Sequence, residues 1–177
     1  VAVKVPVFST EKLPQVEVSL GPEMRSTGEV LGVGRNLENA LYKGFVAAGM
    51  TIPKPGSTIL ATISSKDHDE FVKLAKRCVD LGCNFLATKG TARALNENSI
   101  NCKVVKKISE GVPNIIDTIG SGVVDLAVDI PKKANDTHSD GFKIRRTAVE
   151  SDVTLITAMD TFAAMVDVME KKIDQDK

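Results

Sequence analysis

From residue 58 onwards, short apolar segments alternate with longer segments that carry apolar residues at helical spacing. The apolar runs at 58–63 and 123–128 are nearly continuous, which is typical of strands buried on both faces. Successive strand–helix units with short connections favour right-handed crossovers, so the pattern predicts a doubly wound α/β domain with a parallel five-stranded sheet. The predicted strands are residues 58–63, 84–88, 104–105, 123–130 and 153–157.

The predicted helices lie between these strands and after the last one. Asp67 is expected to cap the first helix, which ends at Gly82. Pro113 is expected to open the third helix and Asp160 to cap the last. Two more helices are predicted at 91–97 and 142–151. A polar loop is predicted at 131–140, between the fourth strand and the helix that follows it.

The first 57 residues do not follow this alternation. Residues 1–8 are rich in valine and predict a strand, which Pro6 confines to a sheet edge or a strand end. Residues 21–34 hold four glycines and one proline and predict a structured loop, after which Asn36 can cap a helix. One strand and one helix cannot enclose a core, so this piece must dock on the remainder of the chain or on an upstream domain. The predicted organisation is therefore a docking piece at 1–49, a linker at 50–57 and the α/β domain at 58–177.

Charge and cysteine content exclude several classes of function. The chain has 23 Lys and Arg against 23 Asp and Glu, so no global field attracts a nucleic acid or an anionic membrane. No apolar run approaches the roughly 18 residues of a membrane span, and no signal-peptide pattern opens the chain. Three cysteines without a CxxC pair predict small core residues in a reducing, cytoplasmic compartment, and two histidines give little basis for a metal site. Because the chain begins with Val1 rather than Met, we expect it to be a piece of a longer protein.

Candidate binding residues follow from the predicted sheet, because ligands bind beyond the carboxyl ends of such strands, where the strand order reverses. The turn Thr88-Lys-Gly-Thr91 combines a glycine that permits close approach, the free N–H groups of a helix start and two hydroxyls. Lys107, after the third strand, can add a positive charge for a phosphate. The simpler interpretation is that Thr88 and Thr91 only cap the strand end and the helix. The same rule selects Thr62, Ser64, Ser65, Lys66, Lys106 and Asp129.

No catalytic residue is predicted. Neither GxGxxG nor GxxxxGK[ST] occurs, so a dinucleotide fingerprint and a P-loop are unsupported. His68 is expected to be exposed in the first turn of a helix, and no general base stands out. The basic run at 143–146 is expected to be a solvated face or to form local ion pairs, with an arginine–phosphate contact as the alternative.

Four segments resemble a known family. The sequence LGPEMRSTGEVLGVG at 20–34 resembles the end of the second ATP-grasp half of the carbamoyl phosphate synthetase large subunits. ATKGTA at 87–92, KISEGVPNIID at 107–117 and DGFKIRRTAV at 140–149 resemble the C-terminal regulatory domain of that family, which is similar to methylglyoxal synthase. The resemblance implies that residues 1–49 are a remnant of an ATP-grasp domain and residues 58–177 a methylglyoxal synthase-like allosteric domain.

The resemblance also implies partners and ligands. The family makes carbamoyl phosphate from bicarbonate, glutamine-derived ammonia and two ATP, with magnesium. The implied partners are the upstream catalytic domains of the same subunit and a small glutaminase subunit. The implied effector is a nucleotide such as UMP or IMP, or PRPP. Because the family's ATP and metal ligands lie upstream, the resemblance implies no cofactor and no synthetase activity in this chain alone.

The family's effector contacts carry over residue by residue. Thr88, Thr91 and Lys107 match its phosphate contacts. Thr62 matches a small hydroxyl residue at the end of the first strand, and Asp140 matches a polar contact in the late loop.

Three positions depart from the family pattern. A family lysine is replaced by His68, with Lys66 nearby as a substitute. The usual asparagine is Asp129, whose carboxylate would repel a phosphate and is therefore expected to face a ribose hydroxyl or a base. Leu155 stands where some bacterial members have a tyrosine that contacts ornithine, so activation by ornithine is not expected.

Two other interpretations stay open. A stand-alone lyase like methylglyoxal synthase would need an acid/base carboxylate beside the phosphate, for which Asp129 is the candidate. The Gly-Gly-Asp loop of that family has no counterpart near 131–140. A purely structural domain would bind no ligand.

Overall fold

The central sheet has five parallel strands, as the alternation along the sequence predicts. The computed structural model describes residues 1–7, 28–130 and 140–175. In chain order the elements are β1 (Ala2–Val7), β2 (Gly28–Val33), α1 (Leu37–Ala47), β3 (Thr58–Ile63), α2 (His68–Asp80), β4 (Asn84–Thr88), α3 (Lys89–Glu97), β5 (Cys102–Val105), α4 (Ile115–Gly120), β6 (Leu126–Ile130), α5 (Asp140–Glu150), β7 (Thr154–Ile156) and α6 (Met159–Gln175).

The strand order in this sheet is β5-β4-β3-β6-β7, with every neighbouring pair parallel. The chain runs from β3 outwards through β4 to β5, and then returns to place β6 on the other side of β3. The order therefore reverses between β3 and β6, and this point is where such sheets bind ligands. The predicted doubly wound α/β fold is confirmed.

Each face of the sheet buries its own hydrophobic cluster. The larger cluster joins β3, β4 and β6 to helices α2, α3 and α6, with Phe71 at its centre, stacked on Phe162 and edge-on to Phe85. The smaller cluster lies under α4 and α5 and includes Ile115 and Ile144. A sheet covered on both faces needs apolar residues at successive strand positions, which explains the continuous apolar runs.

The N-terminal piece contains a strand that the sequence analysis missed. Residues 28–33, predicted as part of a loop, form β2, which pairs antiparallel with β1 from Gly28 opposite Val7 to Val33 opposite Ala2. The glycines that suggested a loop serve packing instead. A Cβ on Gly32 would lie 2.0 Å from a backbone carbonyl of α1, so only glycine lets the helix approach the strand this closely.

The N-terminal piece docks on the α/β domain. Phe45 of α1 belongs to the larger core cluster, against which Val5 and Met50 also pack. Lys172 of α6 donates to the hydroxyl of Tyr42 on α1 at 3.3 Å and lies 4.9 Å from the centre of its ring. Of the two docking partners that the sequence left open, the structure shows contact with the remainder of this chain.

Helix starts were predicted less accurately than the helices themselves. Asn36 caps α1 and accepts from the backbone of Asn39 at 2.9 Å, as predicted. Asp67 makes no cap hydrogen bond. The third predicted helix, α4, begins at Ile115 rather than at Pro113; Asn114 caps it, and its Oδ1 accepts from the backbone N–H of Ile116 at 2.9 Å. Asn114 was missed because Pro113 is an equally good start signal on sequence alone.

Other boundaries also moved by a few residues. Helix α3 begins at Lys89 rather than 91, and α6 begins at Met159, so Asp160 lies in its first turn instead of capping it. Residues 20–27 of the ATP-grasp-like motif lie outside the described residues. So do residues 131–139 of the polar loop predicted after the fourth strand. In the described part of the chain, no helix is both long and apolar enough to cross a membrane.

Candidate functional site

Two threonine hydroxyls meet at the carboxyl ends of β3 and β4, and a third is bound to the last residue of β3. The Oγ1 of Thr88 lies 3.4 Å from the Oγ1 of Thr62. Thr91, at the start of α3, accepts from the backbone N–H of Ile63 at 3.0 Å, and its Oγ1 lies 3.5 Å from the carbonyl oxygen of the same residue. Thr88 and Thr91 are both buried. The structure therefore brings together the hydroxyls of Thr62 and Thr88, which the carboxyl-end rule selected, and it ties Thr91 to the end of β3.

Asp129 lies beside these hydroxyls across the strand reversal. It is paired in register with Thr62, so neighbouring strands bring the two Cα atoms to within about 5 Å. Strand residues two apart share a face. Thr62, Thr88 and Asp129 share one face of the sheet. Each of them lies two positions after a residue of the smaller cluster under α4 and α5, namely Leu60, Leu86 and Ala127 respectively.

The carboxylate of Asp129 forms a buried ion pair with Arg145 of α5. The Nη1 of Arg145 donates to Oδ2 of Asp129 at 2.6 Å, and the two side chains are 1% and 5% exposed. The expectation of a solvated basic face is therefore wrong for Arg145. It holds a partner from another element, which no local spacing indicates. Its neighbour Arg146 forms the expected local ion pair, with Glu150 at 2.6 Å.

The predicted lysines lie on the same edge but make no contact with the hydroxyls. Lys107 follows Val105, which is paired in register with Thr88, and its side chain is exposed. The backbone N–H of Lys107 donates to Glu110 at 2.8 Å, and within the described ranges its ammonium forms no ion pair. Lys66 is exposed in a 3-10 turn at Ser65–Asp67, directly after β3.

Asp140 is the first residue of α5, the helix that carries Arg145, and it is half-buried. It lies five residues before Arg145, whose contact with Asp129 brings this helix to the carboxyl end of β6. No contact between its side chain and the threonine hydroxyls occurs among the residues that the structure describes. Asp140, Lys66 and Lys107 therefore rim the edge, whereas the hydroxyls and Asp129 lie inside it.

Two further polar groups near the end of β3 are buried without a hydrogen-bond partner in the described structure: Oγ of Ser64 and Oδ2 of Asp67. The backbone N–H of Ser64 donates to the carbonyl of Ile130 at 2.9 Å, which continues the pairing of β3 with β6. His68, expected to be exposed, is half-buried, and its Nε2 lies 3.1 Å from the carbonyl oxygen of Ile63. The 3-10 turn before α2 folds the ring back over the strand end, which the sequence did not indicate.

The cysteines are core residues, as predicted. All three are buried and unpaired. Burial raises the pKa of Cys83 and of Cys102 to about 11, and it raises the pKa of Cys78 further above the ordinary thiol range. Thiols in this state are weak nucleophiles. Among the described residues, no cluster of three or more His, Cys, Asp and Glu side chains could hold a metal ion.

A separate cavity of about 530 Å³ lies between the N-terminal piece and the end of the domain. Its lining includes Val5 of β1, Phe45 of α1 and Leu155 of β7. Leu155, the position of the ornithine-contacting tyrosine in the resemblance, therefore adds an aliphatic side chain to this lining. The cavity is distinct from the carboxyl edge that carries the threonine hydroxyls.

Comparison with known proteins relates this architecture to established families. Residues 70–157 match the family model described as MGS-like domain. The chain is 56% identical over 173 residues to the carbamoyl phosphate synthase large chain of Clostridium botulinum (strain Kyoto / Type A2) and 57% identical over 171 residues to that of Clostridium perfringens (strain 13 / Type A). These matches cover 98% and 97% of this chain but only 16% of each relative. The chain thus spans about one sixth of the length of the curated relatives it matches.

A solved structure shares the fold. The crystal structure of methylglyoxal synthase from Elizabethkingia anophelis NUHP1 matches with a TM-score of 0.50 and 20% identity, over 63% of this chain and 79% of that one. At this identity the likeness concerns the fold alone. Together with the parallel five-stranded sheet, it shows that the α/β fold is MGS-like, and residues 70–157 are the part of the chain that matches the family model.

Proposed function

We propose that this chain is the C-terminal part of a carbamoyl phosphate synthase large chain, and that its MGS-like domain regulates the enzyme. The identity of more than half over almost the whole chain to large chains from two clostridia supports this assignment. The complete protein would make carbamoyl phosphate from bicarbonate, glutamine and ATP with magnesium, together with a small glutaminase subunit. Residues 1–49 would be the end of its second ATP-grasp domain, and the ATP and magnesium sites would lie upstream of this chain.

The proposed effector is a phosphorylated nucleotide-type ligand, namely UMP, IMP or PRPP. The observation that carries this proposal is that the hydroxyls of Thr62 and Thr88 meet beside the strand reversal, while Thr91 binds the backbone at the end of β3. Hydroxyls donate to phosphate oxygens, and the first turn of α3 adds backbone N–H groups that have no partner within the helix. Lys107, with no ion pair in the described part of the chain, would supply the positive charge from the rim. Lys66, Asp129 and Asp140 would contact the remainder of the ligand.

Regulation would follow from differential affinity. An effector shifts the enzyme towards one arrangement only by as much as it binds that arrangement better. A coupling free energy of about 1–3 kcal/mol would change catalysis or substrate affinity about 5- to 150-fold. Helix α1 and the β1–β2 pair, which pack on the domain, are the described elements through which the coupling would reach the catalytic half.

Calorimetric titration of UMP, IMP and PRPP into the 177-residue chain tests the proposal, with Lys107→Ala as the variant. Lys103→Ala is the matched control, because Lys103 is also an exposed lysine of this edge of the sheet but lies within β5, before the carboxyl end. We expect at least one ligand to bind, Lys107→Ala to weaken it about tenfold or more, and Lys103→Ala to leave it unchanged.

Two outcomes contradict the proposal in different ways. Heat from none of the three ligands favours a domain with a purely structural role. Release of methylglyoxal from dihydroxyacetone phosphate favours the lyase instead. Against the lyase stands the ion pair of Asp129 with Arg145, because an acid/base carboxylate must exchange a proton that this partner opposes.

A further inference from the structure

The Asp129–Arg145 pair is unusual in this molecule. In the part of the chain that the structure describes, Asp129 and Arg145 are the only buried residues with charged side chains. Burying two charges is costly, and a pair of this kind is weak evidence for stability, because well-packed apolar residues often serve as well. The presence of this ion pair therefore needs a reason other than stability. The pair lies at the edge of the sheet where the phosphate would bind.

A lone carboxylate at Asp129 would oppose a phosphate at the threonine hydroxyls. Asp129 and Thr62 are register partners on adjacent strands, so a phosphate on the hydroxyl of Thr62 would lie about 6 Å from the carboxylate. At this distance and an effective dielectric constant of about 20, two like unit charges weaken binding about a hundredfold. The guanidinium of Arg145, 2.6 Å from Oδ2, offsets this charge.

We infer that Arg145 is a positioning residue of the effector site, which acts on the phosphate through Asp129 and not by direct contact. This inference rests on the proposed function. The Nη1 of Arg145 donates a short hydrogen bond to the carboxylate of Asp129 inside the protein. If the guanidinium moved away to bind a ligand, it would leave this buried carboxylate without its positive partner. Arg145 therefore keeps the wall of the site electrically neutral and fixes Asp129 beside the bound ligand.

Three variants distinguish this role from a direct contact and from a structural one. Asp129→Asn removes the negative charge, Arg145→Met removes the positive charge, and the double variant removes both. Glu150→Gln is the matched control, because Glu150 is also paired with an arginine of α5 but lies at the far end of that helix. Each variant of the 177-residue chain is titrated with UMP, IMP and PRPP, and its urea unfolding midpoint is measured.

The inference predicts opposite shifts for the single variants. Asp129→Asn lowers the unfolding midpoint but tightens binding of the phosphorylated ligand severalfold or more. The reason is that the positive charge of Arg145 is then no longer balanced by a carboxylate and attracts the phosphate. A purely structural role cannot produce tighter binding in a less stable protein. Arg145→Met weakens binding about a hundredfold, the double variant returns to within a fewfold of the wild type, and Glu150→Gln changes nothing.

Each other pattern overturns the inference. If Arg145→Met and the double variant bind equally weakly, Arg145 contacts the phosphate directly. If every variant binds like the wild type, the pair is only structural. Should Arg145→Met not fold, Asp129→Asn and the charge-conserving Arg145→Lys decide, because the first must tighten binding and the second must retain it. Absence of binding by the wild type contradicts the proposed function itself, which the other outcomes leave standing.

Discussion

Replacing Thr88 by valine tests whether the threonine hydroxyls bind a ligand or only complete the strand end. Valine has nearly the same shape and an equal preference for strands, so the change removes one hydroxyl and little else. The hydroxyl of Thr88 lies 3.4 Å from the hydroxyl of Thr62, which is long for a hydrogen bond between hydroxyls. Its loss should cost at most about 0.5 kcal/mol of the free energy of unfolding.

The expected effect on binding is much larger. A hydrogen bond from a hydroxyl to a charged phosphate contributes about 1.5–3 kcal/mol, so Thr88→Val should raise the Kd of the effector about 10- to 150-fold. The matched control is Thr58→Val. Thr58 is the first residue of β3, at the opposite end of the strands, and is half-buried. We expect this control to leave the Kd unchanged.

Calorimetry gives the Kd, and urea unfolding of the same samples gives the free energy of unfolding. The prediction requires that Thr88→Val separates the two quantities: weak binding in a protein of nearly normal stability. Unchanged binding would mean that the hydroxyl faces no ligand, and the simpler interpretation of a strand cap would then hold. Equal losses of affinity in Thr88→Val and Thr58→Val would point to a general effect on the sheet and would refute the site.

Three further predictions concern the scaffold. Iodoacetamide should label Cys83 and Cys102 about a hundredfold more slowly at pH 8 in the folded than in the urea-unfolded chain, because a pKa of about 11 leaves little thiolate. The labelling rate of the folded protein should rise about tenfold per pH unit. Mass spectrometry of the labelled peptides checks both rates. Asn114→Ala should lower the free energy of unfolding by about 0.5–2 kcal/mol through loss of the α4 cap, a change that urea titration measures. Gly32→Ala should cost about 1–3 kcal/mol in the same assay, whereas Gly28→Ala, whose added Cβ meets nothing within 4 Å, should cost less; equal costs would contradict the close packing of α1 on β2.

The fold could be predicted because each strand of the central sheet carries its own signal. The strands 58–63 and 84–88 are bounded by polar or turn-forming residues and were predicted to the residue. The second strand of the N-terminal pair could not be predicted in this way. Glycine usually interrupts strands, and its role at Gly32 depends on a helix that packs there only in the folded chain.

The candidate site was predicted in part. The rule that ligands bind at carboxyl ends selected Thr62 and Thr88 without knowledge of the strand order. That Asp129 is the register partner of Thr62 follows only from the return of β6 to the side of β3, which is a tertiary event. Arg145 was missed although a signal existed: it follows Ile144 on the buried face of α5, where a solvated arginine would not be expected.

The two buried charges, Asp129 and Arg145, lie where the electrostatic needs of a bound phosphate would explain them. A phosphate bound by hydroxyls and backbone N–H groups needs surroundings that are polar but not negative. The edge meets this need with neutral donors inside and lysines at the rim, such as Lys107. Asp129 is the one buried side chain in the described structure that would oppose a phosphate, and it is also the one that has a buried arginine 2.6 Å away. If the pair existed only for stability, nothing would require it to lie beside Thr62 instead of elsewhere in the core. Its position is therefore better explained by the proposed ligand than by the fold.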